Sequence, residues 1–319
     1  MNRSNPYFEQ VQLLVRILPV IATEECFALK GGTAINLFYR DMPRLSVDID
    51  LVYTPIKARE DSLREITDGM SRMGRLISER IPRAKVHYIR LGRTDAVVKL
   101  VVRLDRSVVK IELSPVLRGT VYPSSLRRIC PSAEAAFGFA EVPVVSFEDL
   151  FAGKIVAALD RQHPRDLFDV KLLLENEGIT ARLKEAFLVY LISHDRRFLE
   201  VLNPTLIDIR ETFVVDFERM TVDPVDVADL ERTRLTLIDS IATMLTPQDK
   251  AFVVAFKEGD PDWNHFGPEH IRDLPAIKWK RYNLGLMDTP KRNAMIQSLK
   301  HFFAIRLTGG PEDKATGTR

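Results

Sequence analysis

The sequence predicts an α+β chain, with a mixed α/β domain over residues 1–145 and an all-helical portion over residues 146–308. Three observations predict it. Between Cys26 and Tyr53, short apolar runs alternate with a glycine turn and a helical pattern. From Lys85 to Ser114, three strand-like runs follow one another across short polar links, as in an antiparallel meander. Beyond Phe147 the apolar residues recur at helical spacing only.

Taken in order, Pro6 to Leu18 carries apolar residues on one helical face, and Pro19 should end or kink that helix. Cys26 to Leu29 reads as a buried strand, Thr33 to Tyr39 as a helix stopped by Pro43, and Val47 to Tyr53 as a second strand. A long amphipathic helix follows from Ile56 to Ile81, closed by Pro82. Strands are expected at Lys85–Leu91, Ala96–Leu104 and Val108–Ser114, and Ser124–Pro143 reads as loop with one or two short strands. Helices are expected at Glu148–Leu159, Pro164–Glu175, Ala181–Ile192, Val225–Met244, Pro247–Phe256 and Lys291–Arg306. Gly309–Arg319, polar apart from Ala315, reads as a disordered tail.

Composition excludes several classes. A hydrophobic share of 45% and a charged share of 28% belong to an ordinary globular chain. Cys26 and Cys130 are the only cysteines, which rules out a disulfide framework and a cysteine-based zinc site and fits a reducing compartment. No stretch approaches the roughly 20 apolar residues of a membrane helix. The mostly polar first ten residues, followed by a run broken at Arg16 and Pro19, do not read as a secretory leader. The sequence therefore reads as cytoplasmic, with no membrane partner.

The chemistry gathers in Phe27–Tyr53. Alternation along a strand sends Asp48 and Asp50 to one face and Ile49 and Leu51 to the other. Upstream, Gly31 and Gly32 let the backbone approach an anion without a Cβ in the way, and Thr33 adds a hydroxyl at a helix start rich in free N–H groups. Such a half-site can hold magnesium, as one ion or two, together with a triphosphate. Glu112 shares a strand face with Lys110 and Ser114. It reads either as a third metal-binding carboxylate beside Asp48 and Asp50 or as a solvent-facing acid paired with Lys110 or Lys99. Lys154 is the only cation between Glu148 and Leu159, and its helical neighbours are Leu150, Phe151, Ala157 and Ala158. A lysine on so apolar a face points to a phosphate or an acceptor hydroxyl, with Asp166 as its partner and Asp169 as a structural acid.

Leu29-Lys30-Gly31-Gly32-Thr33, Arg44-x-Ser46-x-Asp48-Ile49-Asp50-Leu51, Lys154 and Arg165-Asp166-x-x-Asp169, in that order, resemble the AbiEii toxins. These are nucleotidyltransferase-like toxins of type IV toxin–antitoxin and abortive-infection systems, the mycobacterial MenT enzymes among them. The resemblance implies a polymerase-β-like nucleotidyltransferase core, magnesium dependence, NTP as substrate, and for some members the tRNA 3′ end as acceptor, which blocks translation. It implies phosphate binding by the turn (Lys30, Gly31, Gly32, Thr33) with Arg44 and Ser46 nearby, metal binding by Asp48 and Asp50, and catalytic roles for Lys154 and Asp166. Glu112 as third acid is read from its strand position. A separately encoded antitoxin is implied as partner.

Two basic stretches could carry RNA phosphates: Arg72–Arg93, and Arg272–Arg306, where Trp279 and Tyr282 lie among Lys278, Lys280 and Arg281. The aromatics would serve as stacking surfaces or lie in the core, and Trp279 is expected in the core. Asp208–Glu231, with eight acids against two arginines, could pair with a basic stretch inside the fold. Two other readings stay open. The same site could serve a protein hydroxyl or a small molecule such as an aminoglycoside, or the chain could be a non-catalytic RNA- or partner-binding protein of the same fold.

Overall fold

The computed structural model of the protein describes residues 7–308, so the expected tail lies outside it. Seven strands form one mixed sheet: β1 (Phe27–Lys30), β2 (Ile49–Tyr53), β3 (Lys85–Arg90), β4 (Val97–Leu104), β5 (Ser107–Arg118), β6 (Ser125–Arg128) and β7 (Glu141–Val144). Their spatial order is β3-β4-β5-β2-β1-β7-β6. The meander β3–β4–β5 is antiparallel as expected, β1 pairs with β2 antiparallel, and β2 lies parallel to β5.

The sheet is amphipathic across β2. Ile49, Leu51 and Tyr53 are fully buried, and Phe27 beside them packs on α3 (Arg59–Arg80) at Gly69. Helix α1 (Phe8–Ile21) shares this side, packing on α3 and on the sheet through β5 and β7. It runs through Pro19 to Ile21 instead of ending there. The opposite face of β2 carries Asp50, with Asp48 directly before the strand, which starts at Ile49 and not at Val47, and against it stands the helical portion. Helix α5 (Phe147–Asp160) is the pillar of that portion, packing on α6 (Pro164–Asn176) and α7 (Ala181–Ser193). Its start is fixed by Ser146, which accepts the Asp149 N–H at 3.0 Å. Helix α2 (Gly31–Ala34) continues as a π-helical turn, Ile35–Tyr39, between β1 and β2.

Some elements depart from expectation. Ser124–Pro143 contains β6 and a helix, α4 (Pro131–Phe137), begun by Pro131 at its first position. Strand β5 runs on to Arg118, four residues past its expected end. Helices α8 (Phe198–Leu202), α9 (Arg210–Asp216) and α12 (Pro275–Gly285) were not expected. The first two are shorter than the window in which helical period shows, and α12 buries only Ala276, Ile277 and Leu284. Helices α10 (Val227–Met244), α11 (Pro247–Glu258) and α13 (Thr289–Thr308) complete the chain. No helix among the described residues is long and apolar enough to cross a membrane.

Asp149 ties the sheet to α5. Its carboxylate is 1% exposed and accepts the backbone N–H groups of Val121 (2.8 Å) and Tyr122 (2.9 Å) and the Tyr190 hydroxyl (3.2 Å). Asp149→Ala strands these buried donors, and a loss of about 2–4 kcal/mol in urea unfolding is expected. A loss below about 1 kcal/mol would show that the tie is dispensable.

Candidate active site

A cleft of about 740 Å³ opens between the acidic face of the sheet and α5–α6. Its floor is set by strand register. Lys30 lies opposite Asp50, Asp50 beside Glu112, and Glu112 opposite Lys99, so a row of charges (plus, minus, minus, plus) crosses four adjacent strands. Neighbours in such a row are close enough to interact directly. Glu112 forms an ion pair with Lys99, while Lys30, Lys110 and Arg165 line the cleft without an ion-pair partner among the described residues.

The glycine turn is shaped by this acidic strand. Gly31 adopts φ +73°, and a methyl group there would overlap Asp50 Oδ2. A methyl group on Gly32 would lie 2.8 Å from Arg44 Nη2 and 3.0 Å from Ser46 Oγ. The glycines therefore admit the protein's own side chains, while their backbone still faces the cleft. Thr33 is fully buried, its hydroxyl 2.6 Å from the Asp48 carbonyl and 2.9 Å from Ser46 Oγ. It braces the acidic strand and does not line the cleft, contrary to the phosphate-binding role expected of it.

Opposite the carboxylates, the wall is a buried ionic chain. Lys154, 7% exposed, places Nζ 2.7 Å from Asp166 Oδ1 and 3.1 Å from Asp169 Oδ2. Asp169, fully buried, also accepts Arg44 Nε (2.8 Å) and Nη2 (2.6 Å) and the Asn36 amide (3.2 Å). Asp166 accepts Arg161 Nε at 2.5 Å. Burial alone would raise both acids, but the surrounding cations outweigh it and hold Asp166 and Asp169 below the usual carboxylate range. Arg44, 2% exposed, gives its remaining Nη1 to the Leu45 carbonyl at 2.8 Å. Three of its five N–H donors are thus committed inside the protein, so Arg44 braces the turn while it also lines the cleft.

Asp48 and Asp50 have the opposite electrostatics. Burial raises both carboxyls above the ordinary value, against Lys110 and Arg165 near Asp48 and against Lys30 and Lys154 near Asp50. Burial also lowers the Lys30 ammonium, opposed by Asp50. Among the described residues no group of three or more His, Cys, Asp or Glu side chains is arranged to hold a metal ion. Asp48 and Asp50 stand as a pair, and Glu112, expected as the third ligand, is turned to Lys99.

Residues 12–281 match the family described as nucleotidyl transferase AbiEii toxin, type IV TA system. The chain belongs to the AbiEii family. It is a nucleotidyltransferase toxin, and the type IV toxin–antitoxin setting implies an antitoxin partner and an NTP substrate. The solved structure of MenT4, a nucleotidyltransferase toxin from Mycobacterium tuberculosis H37Rv, superposes with a TM-score of 0.58 at 17% identity, covering 88% of this chain and 95% of that one. That likeness shows the nucleotidyltransferase fold. A comparison with curated proteins found no match.

In this AbiEii chain, Lys30, Gly31, Gly32, Arg44, Ser46, Asp48, Asp50, Glu112, Lys154 and Asp166 all line one cleft. Sequence reasoning assigned no role to Arg165, whose charge acts on Asp48, although it stands directly before Asp166 in the motif. It also read Lys110 only as a partner for Glu112. The basic stretch Arg72–Arg93 spends Arg72 inward on Glu24 and Arg83 on Asp105. The acidic stretch pairs locally, Arg210 with Asp208 and Glu231, and among the described residues no ion pair joins its acids to either basic stretch.

His163 caps α6, its Nδ1 accepting the Arg165 N–H at 3.1 Å. Burial, then the Arg165 charge, lowers its pKa to about 4. The unfolded chain takes up a proton near 6.5, before the folded one does, so stability falls as pH drops from about 6.5 to about 4. Urea unfolding across that range should show the fall, and His163→Asn, which retains a capping oxygen, should flatten it. An unchanged slope in the variant would assign the fall to other groups.

Proposed function

We propose that this AbiEii toxin transfers a nucleoside monophosphate from an NTP to the 3′ end of tRNA, with magnesium, and so stops translation in the cytoplasm. The observation that carries the reading is the cleft itself, in which a carboxylate pair on the sheet faces a cation-rich wall on the helices. The division into a nucleotidyltransferase domain to residue 145 and a helical portion that completes the site follows, because Lys154, Arg165 and Asp166 come from the helices.

The donor set fits a hard cation. Asp48 and Asp50 supply oxygen ligands only, and magnesium is commonly held by one or two carboxylates plus substrate phosphates. Their burial-raised carboxyls show two acids short of positive charge. Bound there, the ion would polarise the phosphates and neutralise charge on the leaving pyrophosphate. Glu112 would join as third ligand, or as base, by leaving Lys99.

The chain's own residues supply the rest. Backbone at Gly31 and Gly32, with Lys30 and Arg165, gathers the triphosphate. Lys154, held by Asp166 and Asp169, presents fixed positive charge to phosphate without reorganising. The acceptor hydroxyl oxygen attacks the α-phosphorus, its bond to the pyrophosphate oxygen breaks, and the hydroxyl proton passes to a cleft carboxylate. Ser46 stays as support for the turn.

Incubation with each labelled NTP, magnesium and total tRNA should label RNA, and label appearing only in protein or an aminoglycoside would redirect the reading to that acceptor. Asp48→Ala and Lys154→Ala should each cut transfer by roughly 10³-fold, as loss of several kcal/mol of charge stabilisation implies. Magnesium with NTP should raise the wild-type melting temperature and leave that of Asp50→Asn unchanged. Transfer that survives Asp48→Ala would remove the metal assignment.

A further inference from the structure

Helix α12 does not bury its aromatics. Trp279 and Tyr282 are 56% and 60% exposed, against the expectation that Trp279 lies in the core. Their rings stack on each other, centroids 5.8 Å apart and planes 22° apart. Two large exposed rings held nearly parallel on a helix offer their outer faces to a planar group from solvent.

The helix is fastened to the rim of the catalytic cleft. Lys280 donates Nζ to the carbonyls of His194 and, at 3.2 Å, Asp195, and both residues line the cleft. Ala276, one turn earlier, lines a small pocket with Ser193 and Lys30, the lysine of the cleft floor. The ring pair therefore sits on a helix tied to the cleft rim at His194 and Asp195.

The surroundings are positive. Lys257, 4% exposed, has the Phe198 ring beneath Nζ, at 3.9 Å, and Lys280 lies over the same ring at 5.9 Å. Burial, then the Lys280 and Arg197 charges, lowers Lys257 to about 8, so these cations crowd one another. Arg281 lies 5.6 Å from the Trp263 ring, and Asp273 is the acid that Lys278 meets, at 3.0 Å. Stacked rings flanked by the exposed side chains of Lys278 and Arg281 match an unpaired base on a phosphate backbone. An apolar peptide would cover the two rings but offer no negative charge to Lys278 and Arg281.

We infer that Trp279 and Tyr282, flanked by Lys278 and Arg281, form a stacking platform for unpaired bases of an RNA acceptor whose single-stranded 3′ end enters the cleft past His194 and Asp195. The inference rests on the RNA-transfer reading above for its acceptor and on α12 for its place.

The test uses the full-length protein, a fluorescein-labelled 12-nucleotide single-stranded RNA for binding by anisotropy, and tRNA for kinetics. Trp279→Ala/Tyr282→Ala should weaken oligonucleotide binding about tenfold or more, in line with base–aromatic stacking. The KM for tRNA should rise equally, with the KM for NTP, kcat and melting temperature unchanged. Trp279→Phe/Tyr282→Phe, which keeps flat rings, should restore most of the binding. Lys278→Ala/Arg281→Ala should lower the salt slope of binding by about 0.7 for each phosphate that the two cations neutralise. If the alanine pair binds the oligonucleotide and uses tRNA as the wild type does, the platform is overturned while RNA transfer stands. If the wild type labels no RNA, the transfer reading fails, and the anisotropy series still decides the platform: tight binding abolished by Trp279→Ala/Tyr282→Ala upholds it, and absence of binding overturns it.

Discussion

Asp169 is the residue on which the site is hung. It lies fully buried between a cation from the sheet half, Arg44, and one from the helical half, Lys154. Among the described residues neither cation pairs with another carboxylate except Asp166 on Lys154, and a buried charge without a partner is costly enough to unfold or rearrange its surroundings. The sheet half thus brings a charge, Arg44, that is neutralised by an acid of the helical half, the same acid that holds Lys154. The shape of the turn follows, because Arg44 fixes how closely Gly32 packs, and Gly31 in turn fixes where Asp50 sits. Geometry at the carboxylates is set from a distance by one ion pair.

The two walls of the cleft are tuned in opposite directions. On the helical wall the acids are over-neutralised, so Lys154 is immobile and its charge available toward the cleft. On the sheet the acids are under-neutralised and crowded. Positive charge delivered with the substrate is what the sheet lacks, and negative charge on the substrate is what Lys30, Lys110 and Arg165 lack. A magnesium–triphosphate complex answers both needs at once, which is why the two walls read better together than either does alone.

Much of this was legible in the residues because it is local. Alternation placed Asp48 and Asp50 on one face, and the polar links of the meander set β3–β4–β5 antiparallel. The apolar setting of Lys154 announced a buried partner. What was not legible depends on register and on tertiary contact. Nothing in Val109–Ser114 states that β5 lies parallel to β2 with Glu112 beside Asp50, since β2 and β5 are far apart in sequence. Thr33 carries the residue type of an anion site and its hydroxyl turns out to brace it, because burial, and not side-chain chemistry, decides whether a donor is free. Trp279 shows the converse: a tryptophan at helical spacing among lysines reads as core or surface equally well, and only the packing of α12 on β5 and α7 settles it.

One feature of the Arg44 loop bears on how such a toxin is made. Leu45 donates its N–H to the Met220 carbonyl at 2.7 Å, Val222 donates to the Pro43 carbonyl at 2.9 Å, and the counter-ion of Arg44 lies 125 residues downstream. During synthesis the sheet residues emerge first, carrying the carboxylate pair but without the strap or the charge that lock the turn beside it. A ribosome must pass residue 222 before the loop is tied down from both sides. Premature release before that point therefore yields a chain with the acids and no assembled site, so a harmful activity comes into being only after the strap has been made.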